Sequence, residues 1–349
     1  MPLRLFEPAP WITAPTLSEP EFSLETAAGR YVLLLFLPSD VDRRGVALKA
    51  LSTHQRHFDD ARASAFVVAR DPAMLAGLRD MRGLRWFIDA DGAVSRLYGA
   101  LDAGGAERPG WVLLDPTLRL LAGASIDDTP RMFALVQSLP APAEHAGAPM
   151  VAPVLLAPRV FDTDLCLRLI ALYEHVGGTS SGVMQDFGDR TRAVMHEHKT
   201  RRDVTVRDPD LIEETRQALT RRLFPLIAQA FQFEVTQIER DLIACYDAAE
   251  GGVFRAHRDN TTRQTANRKF ACSINLNGDF EGGDLRFPEY GRTLHRPPVG
   301  GAMVFSCSLL HEVAPVTEGR RYAFLPFFYD EDGVRTLDAY RRSVAAGAP

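Results

Sequence analysis

From residue 239 onward the pattern is all β. Eight short stretches, "ERDLIACYD", "GGVFRAHRD", "RKFACSINLN", "GDLRFPEYGR", "TLHRPPV", "GAMVFSC", "LLHEVAP" and "RRYAFLPFFYD", follow one another within about ninety residues, separated by Gly, Pro or Asn. Strands this short and this frequent cannot each bury a face alone, so they predict a jelly roll or small barrel. Two helices precede them. "VFDTDLCLRLIALYEHVGG" (160–178) has apolar residues at helical spacing with Asp162 or Thr163 as its N-cap. "DPDLIEETRQALTRRLFPLIAQAF" (208–231) opens on Asp208-Pro209 and is acidic in its first turns, as the helix dipole favours. The glycine-rich, polar segment between them, 177–206, reads as a mobile hairpin.

The chain has 349 residues, more than one ordinary domain, and its 46 % hydrophobic content supports two cores. Residues 141–158, "APAEHAGAPMVAPVLLAP", have the composition of a proline-stiffened linker. This places an N-terminal domain at 1–140, a second domain at 159–335 and a tail at 336–349. In the first half "YVLLLFLP" (31–38) and "SAFVVARD" (64–71) read as buried strands, with a helix over 45–61 between them. "LRWFIDADG" (84–92) and "WVLLDPTLRLLAG" (111–123) add strands, the latter a hairpin at Asp115-Pro116, and a last helix starts at "DDTP" (127–130). Strands alternating with helices predict an α/β layer.

A net charge of −5 argues against a bulk grip on nucleic acid. No run reaches the roughly 18 apolar residues of a membrane span, and the opening "MPLRLFEPAPWITAP" has no secretory pattern. Four scattered cysteines, Cys166, Cys245, Cys272 and Cys307, suggest neither a disulfide scaffold nor a zinc knuckle. A soluble, cytoplasmic protein is expected.

His257 and Asp259, in "FRAHRDN", are two apart. With nine histidines, about one His-x-acid pair is expected by chance, and His57-Phe58-Asp59 is such a pair. It falls in a predicted helix, where residues two apart diverge. His257 and Asp259 fall in a predicted strand, where they share a face. His311, in "SLLHEVAP", is the third candidate. Two histidines and a carboxylate on one face leave positions open on an octahedral Fe(II), with room for a bidentate cosubstrate and O₂. A catalytic zinc is the other metal to weigh. Arg321, ten residues after His311 at the start of an apolar strand, needs an acid if it faces inward. A dicarboxylate supplies one. Arg320 should face the opposite way.

Two resemblances follow from these motifs. Residues 8–138, through "LFLPSD", "FIDADGAVSRLYGAL" and "WVLLDPTLRL", resemble the peroxiredoxin branch of the thioredoxin-like fold. That family's Pro-x-x-x-Thr-x-x-Cys falls here on Pro38, Asp42 and Gly45, so the resemblance implies a scaffold without its peroxide chemistry. The domain then serves docking or homodimerisation. Residues 158–330, through "ACYDAAEGGVFRAHRDN", "INLNGDFEGGDLRFPEYG" and "PPVGGAMVFSCSLLHEVAPVTEGRRYAF", resemble the prolyl-hydroxylase-like branch of the Fe(II)/2-oxoglutarate dioxygenases. This implies a double-stranded β-helix (jelly roll) with flanking helices, following the thioredoxin-like α/β domain. It implies iron on His257, Asp259 and His311, and 2-oxoglutarate on Arg321, with Tyr246 and Asn275 lining its pocket. O₂ is the oxidant and ascorbate a reductant. The carboxylate ligand favours hydroxylation over halogenation. The resemblance names no substrate; a peptidyl, amino-acid or small-molecule substrate fits, and a non-catalytic sensor binding iron and 2-oxoglutarate is the competing class. His196-Glu197-His198 lacks a third ligand, the basic run "KTRRDVTVR" (199–207) reads as solvent-facing ahead of the alternative that it faces an acidic substrate, and Trp86 and Trp111 read as packing.

Overall fold

The computed structural model describes residues 3–188, 190–195 and 198–346. The chain forms two compact units, Met1–Val151 with Pro288–Arg292, and Ala152–Phe287 with Thr293–Pro349. Part of the expected linker is ordered structure in the second unit. Leu155–Ala157 pairs as an edge strand with Ala302–Ser306. Flanking prolines are compatible with that position, because an edge strand has ladder bonds on one side only.

The first unit is a five-stranded sheet in the order Leu84–Ile88, Ala63–Ala69, Tyr31–Phe36, Gly110–Leu114, Leu120–Ser125. The first three strands are parallel and the last two antiparallel to their neighbours. Every residue of Tyr31–Phe36 is buried, because both faces are covered. Tyr31, Leu33 and Leu35 pack with Ala47, Leu51 and Phe133 from helices Val41–Thr53 and Thr129–Ser138. The helix expected over 45–61 starts earlier: Asp40 caps it, accepting from the Arg43 amide at 2.8 Å, and Gly45 lies inside it. At Asp115 the carboxylate accepts from the amides of Thr117 (2.8 Å) and Arg119 (3.0 Å), which turns the hairpin.

In the second unit a major antiparallel sheet runs Gln237–Glu239, Phe327–Tyr329, Phe270–Asn275, Val316–Phe324, Leu242–Asp247, Arg202–Thr205, Thr179–Ser180. A minor sheet runs Lys199–Thr200, Val253–His257, His311–Val313, Leu285–Arg286, Leu294–His295. Rings from the two sheets meet between them, Phe305 on His311 at 4.6 Å. Helix Thr163–Val176, capped by Asp162, packs Leu165, Leu169 and Tyr173 into the core that includes Ile243, Ile274 and Phe324. Pro209–Ala218 continues through a π turn, Leu219–Leu223, into Phe224–Phe231. The turn abuts Pro225, which has no N–H to donate and crowds the preceding carbonyl. Segment 177–206 is more than a hairpin. Val183–Phe187 pairs with Arg190–Val194, but Lys199–Thr200 and Arg202–Thr205 are built into the minor and major sheets. The expected tail is the body of helix Glu331–Ala346, whose Gly333 amide is capped by Asp330 at 3.0 Å. No helix among the described residues is long and apolar enough to cross a membrane.

Asp60 supplies a test of the first unit. Burial alone would push its carboxyl up. The Arg85 fork (2.8 and 2.9 Å), the Ser64 hydroxyl (2.7 Å) and the Gly83 amide (3.0 Å) outweigh burial and hold it well below the usual carboxylate range. A depressed folded value means its stabilisation is complete above about pH 4 and drains away as pH falls further. All three tryptophans, Trp11, Trp86 and Trp111, lie in this unit, so their fluorescence follows it alone. Acid unfolding read this way should be shallower in Asp60→Asn, which tolerates the left-handed φ of 62°. Equal slopes in the two proteins would contradict the assignment.

Candidate metal centre and anion site

Val253–His257 and His311–Val313 are antiparallel neighbours, with His257 directly opposite His311 and their ring centroids 4.3 Å apart. Asp259 does not lie in the strand, as alternation predicts, but two residues past its last residue. Its amide donates to the Cys307 carbonyl at 3.0 Å, and the Arg258 guanidinium donates to the Ser308 carbonyl. These bonds bend the chain toward the turn that precedes His311, and the bend rather than the pleat brings the carboxylate in. Asp259 Oδ1 is 3.6 Å from His257 Nε2, and Oδ2 is 3.3 Å from His311 Nε2. The three ligand atoms all lie within 4.8 Å of one another, and no other such cluster exists among the described residues.

Hydrogen bonding fixes the ring tautomers. His257 Nδ1 is 2.7 Å from the Arg255 carbonyl, and His311 Nδ1 is 3.0 Å from the Leu309 carbonyl. A carbonyl only accepts, so each Nδ1 carries a hydrogen, and each Nε2 faces Asp259. Burial, reinforced by His311, pushes His257 down to about 4 despite Asp259, so the ring is neutral at neutral pH. Burial would raise the Asp259 carboxyl, but His311 and His257 hold it well below the usual range. Phe254 stacks on His257 at 3.5 Å between centroids, and Phe305 lies on His311. Two imidazoles whose Nε2 atoms converge on a carboxylate within apolar walls fit a divalent transition metal such as iron.

Arg321 is 1 % exposed. Its Nε donates to Asn275 Oδ1 at 3.1 Å and its Nη2 to Ser273 Oγ at 2.8 Å, while Nη1 has no partner. No carboxylate among the described residues pairs with it, and burial lowers its proton affinity from the usual guanidinium value. Tyr246, opposite Arg321 in the sheet register, lies beneath the guanidinium at 5.4 Å. Asn275 also donates to the Pro297 carbonyl at 2.8 Å, so both ends of its amide are engaged and it orients Arg321. Arg320 points the other way, to Asp247 at 2.7 Å. Gly283, at φ +69°, leaves room for this arrangement: a Cβ there would lie 3.0 Å from Arg321 Cδ.

The basic run 199–207 corrects the solvent-facing expectation. Lys199 and Arg201 are buried, because the segment crosses from the minor to the major sheet at Arg201 and turns these side chains inward. Arg201 forks onto Asp203 at 2.7 Å and reaches the Tyr246 hydroxyl at 3.4 Å. Lys199 lies over the Phe254 ring at 5.0 Å. The alternation Lys199, Arg201, Asp203 was the available signal. Ser273 had one too, two residues before Asn275 on the same strand face. In the first unit the Asp59 carboxylate caps the Ala61 and Arg62 amides, at 2.9 and 2.7 Å, and binds no His57 nitrogen. His196 and Glu197 lie outside the described residues.

No protein-family model matches the chain. It is 35 % identical over 103 residues to a PKHD-type hydroxylase of Pseudomonas fluorescens, covering 27 % of this chain and 44 % of the relative. It is 31 % identical over 146 residues to the PKHD-type hydroxylase PiuC of Pseudomonas aeruginosa, covering 37 % of this chain and 62 % of that protein. The chain thus spans between two-fifths and two-thirds of the length of these relatives. A prolyl hydroxylase from Trichoplax adhaerens, solved with a hypoxia-inducible-factor peptide, superposes with a TM-score of 0.43 at 18 % identity, over 52 % of this chain and 86 % of that one.

Metal analysis after gel filtration should find about one divalent ion per chain. His257→Ala and Asp259→Ala should each weaken binding by more than the roughly 10–100-fold that loss of an outer partner causes. His57→Ala should leave it unchanged.

Proposed function

We propose that the chain is an Fe(II)- and 2-oxoglutarate-dependent dioxygenase that hydroxylates an unactivated C–H bond, releasing succinate and CO₂. The observation that carries this reading is the pairing of two sites of matched chemistry. A two-histidine, one-carboxylate cluster is available for iron, and a buried arginine with a free donor lacks its anion. The likeness to PKHD-type hydroxylases supports it.

Iron and 2-oxoglutarate, when bound, would supply with O₂ the oxidising power for the C–H bond. The chain's own residues hold and exclude. His257, Asp259 and His311 would hold the metal, with both imidazoles pre-set by their backbone acceptors. Arg321, aligned by Asn275 and Ser273, would take the distal carboxylate on its open edge. Tyr246 walls that site, and Phe254 and Phe305 keep water from the ligands.

For the first unit we infer a thioredoxin-like fold of the peroxiredoxin branch, serving docking or dimerisation. The mixed sheet with its central buried strand supports this, and the unit holds no cysteine to act on peroxide. Peroxide added to the metal-free protein should not be consumed; consumption above buffer would contradict that reading.

Iron-loaded protein should convert 2-oxoglutarate to succinate. Arg321→Met should raise the half-saturating 2-oxoglutarate concentration at least roughly tenfold and leave the metal content unchanged. Binding of both ligands without any succinate would instead indicate a sensor.

A further inference from the structure

Lys199 is a buried charge that the proposed reaction does not use. Its side chain belongs to a residue 9 % exposed, and lysine is seldom buried so far without an ionic partner. The ammonium donates to the Gly182 carbonyl at 2.8 Å. Among the described residues no carboxylate lies within ion-pair distance of it. Its neighbour Arg201 differs, since the fork from Asp203 balances that guanidinium. Burial, with Arg201 and Arg240 adding to it and Asp203 and Asp259 opposing, pushes Lys199 down to about 7.

Its place in the fold is specific. Lys199–Thr200 is the strand next to Val253–His257, with Lys199 opposite Phe254. The ammonium sits 5.0 Å from the centre of the Phe254 ring, and that ring stacks directly on His257. One aromatic side chain therefore separates the ammonium from a metal ligand. Resting on the reaction proposed above, the charges near this point can be followed. A divalent metal with Asp259, and a dicarboxylate shared with Arg321, neutralise one another. Lys199 is among the cations that remain. A leftover cation in a buried place is unfavourable unless a further anion arrives.

We propose that Lys199 binds a carboxylate of the substrate, and that the substrate is a free amino acid or a peptide end carrying its terminal carboxylate. A slim terminal carboxylate is the anion able to reach an ammonium this deeply buried. Lys199 is a substrate-positioning residue and takes no part in the oxidation.

The test uses the full-length protein loaded with Fe(II) and 2-oxoglutarate. The probes are the twenty L-amino acids, their N-acetyl derivatives and the corresponding primary amides. Succinate release is followed in the wild type, Lys199→Met and Lys199→Arg, with thermal midpoints taken on the metal-free proteins. At least one acid should accelerate succinate release while its amide does not. Lys199→Met should raise the half-saturating concentration of that acid roughly tenfold or more, and Lys199→Arg should recover part of the loss. The thermal midpoint of Lys199→Met should match or exceed the wild type's, since an uncompensated buried charge has been removed. An acid and its amide acting equally, no probe acting, or Lys199→Met responding like the wild type would overturn the inference. A lowered midpoint with an unchanged acid response would assign Lys199 to structure, as the tether to Gly182. No succinate under any condition would overturn the dioxygenase reading and this inference with it.

Discussion

The antiparallel register between Val253–His257 and His311–Val313 is the constraint on which the candidate centre depends. It sets His257 opposite His311, and a slip by one residue would send one imidazole to the other face. The hydrogen bonds that hold Asp259 and Arg258 to Cys307 and Ser308 then bring the carboxylate to the two rings. Each histidine is locked by a carbonyl two residues before it in its own chain. The ligand geometry thus comes from backbone bonds, which are poor at rearranging, rather than from long side chains.

Three of the cations buried around this centre are treated differently. Arg201 has Asp203, and the pair is complete. Arg321 is oriented by two neutral acceptors and kept without a carboxylate. Lys199 has a single backbone acceptor. Protein interiors tolerate unpaired charge poorly, so two incomplete cations beside the candidate cluster are what the proposed ligands would complete.

Much of this was legible in the sequence because the chemistry is local. His-x-Asp followed by a histidine and then an arginine on later strands restricts residue type as well as spacing. Asp162 announced its helix, and accepts from the Leu165 amide at 3.0 Å. What escaped depended on contacts distant in sequence. Alternation placed Asp259 in a strand that in fact ends at His257, because a bond to Cys307 decided where the chain turned. Lys199 and Arg201 read as surface charge because a two-residue strand carries almost no periodicity, and only the crossing between sheets turns them inward. The final helix was read as a tail although Val334, Leu337, Tyr340 and Val344 recur along it at helical spacing; its cap, Asp330, is a single residue in an acidic stretch.

In the proposed function one site holds iron and 2-oxoglutarate together. The most direct measurement is an anaerobic titration of the metal-free protein with Fe(II) and then 2-oxoglutarate, followed in the visible range. The expected result is a weak charge-transfer band that requires both additions and is missing in His257→Ala. Iron that binds without any band on adding 2-oxoglutarate, or a band that persists in His257→Ala, would contradict it.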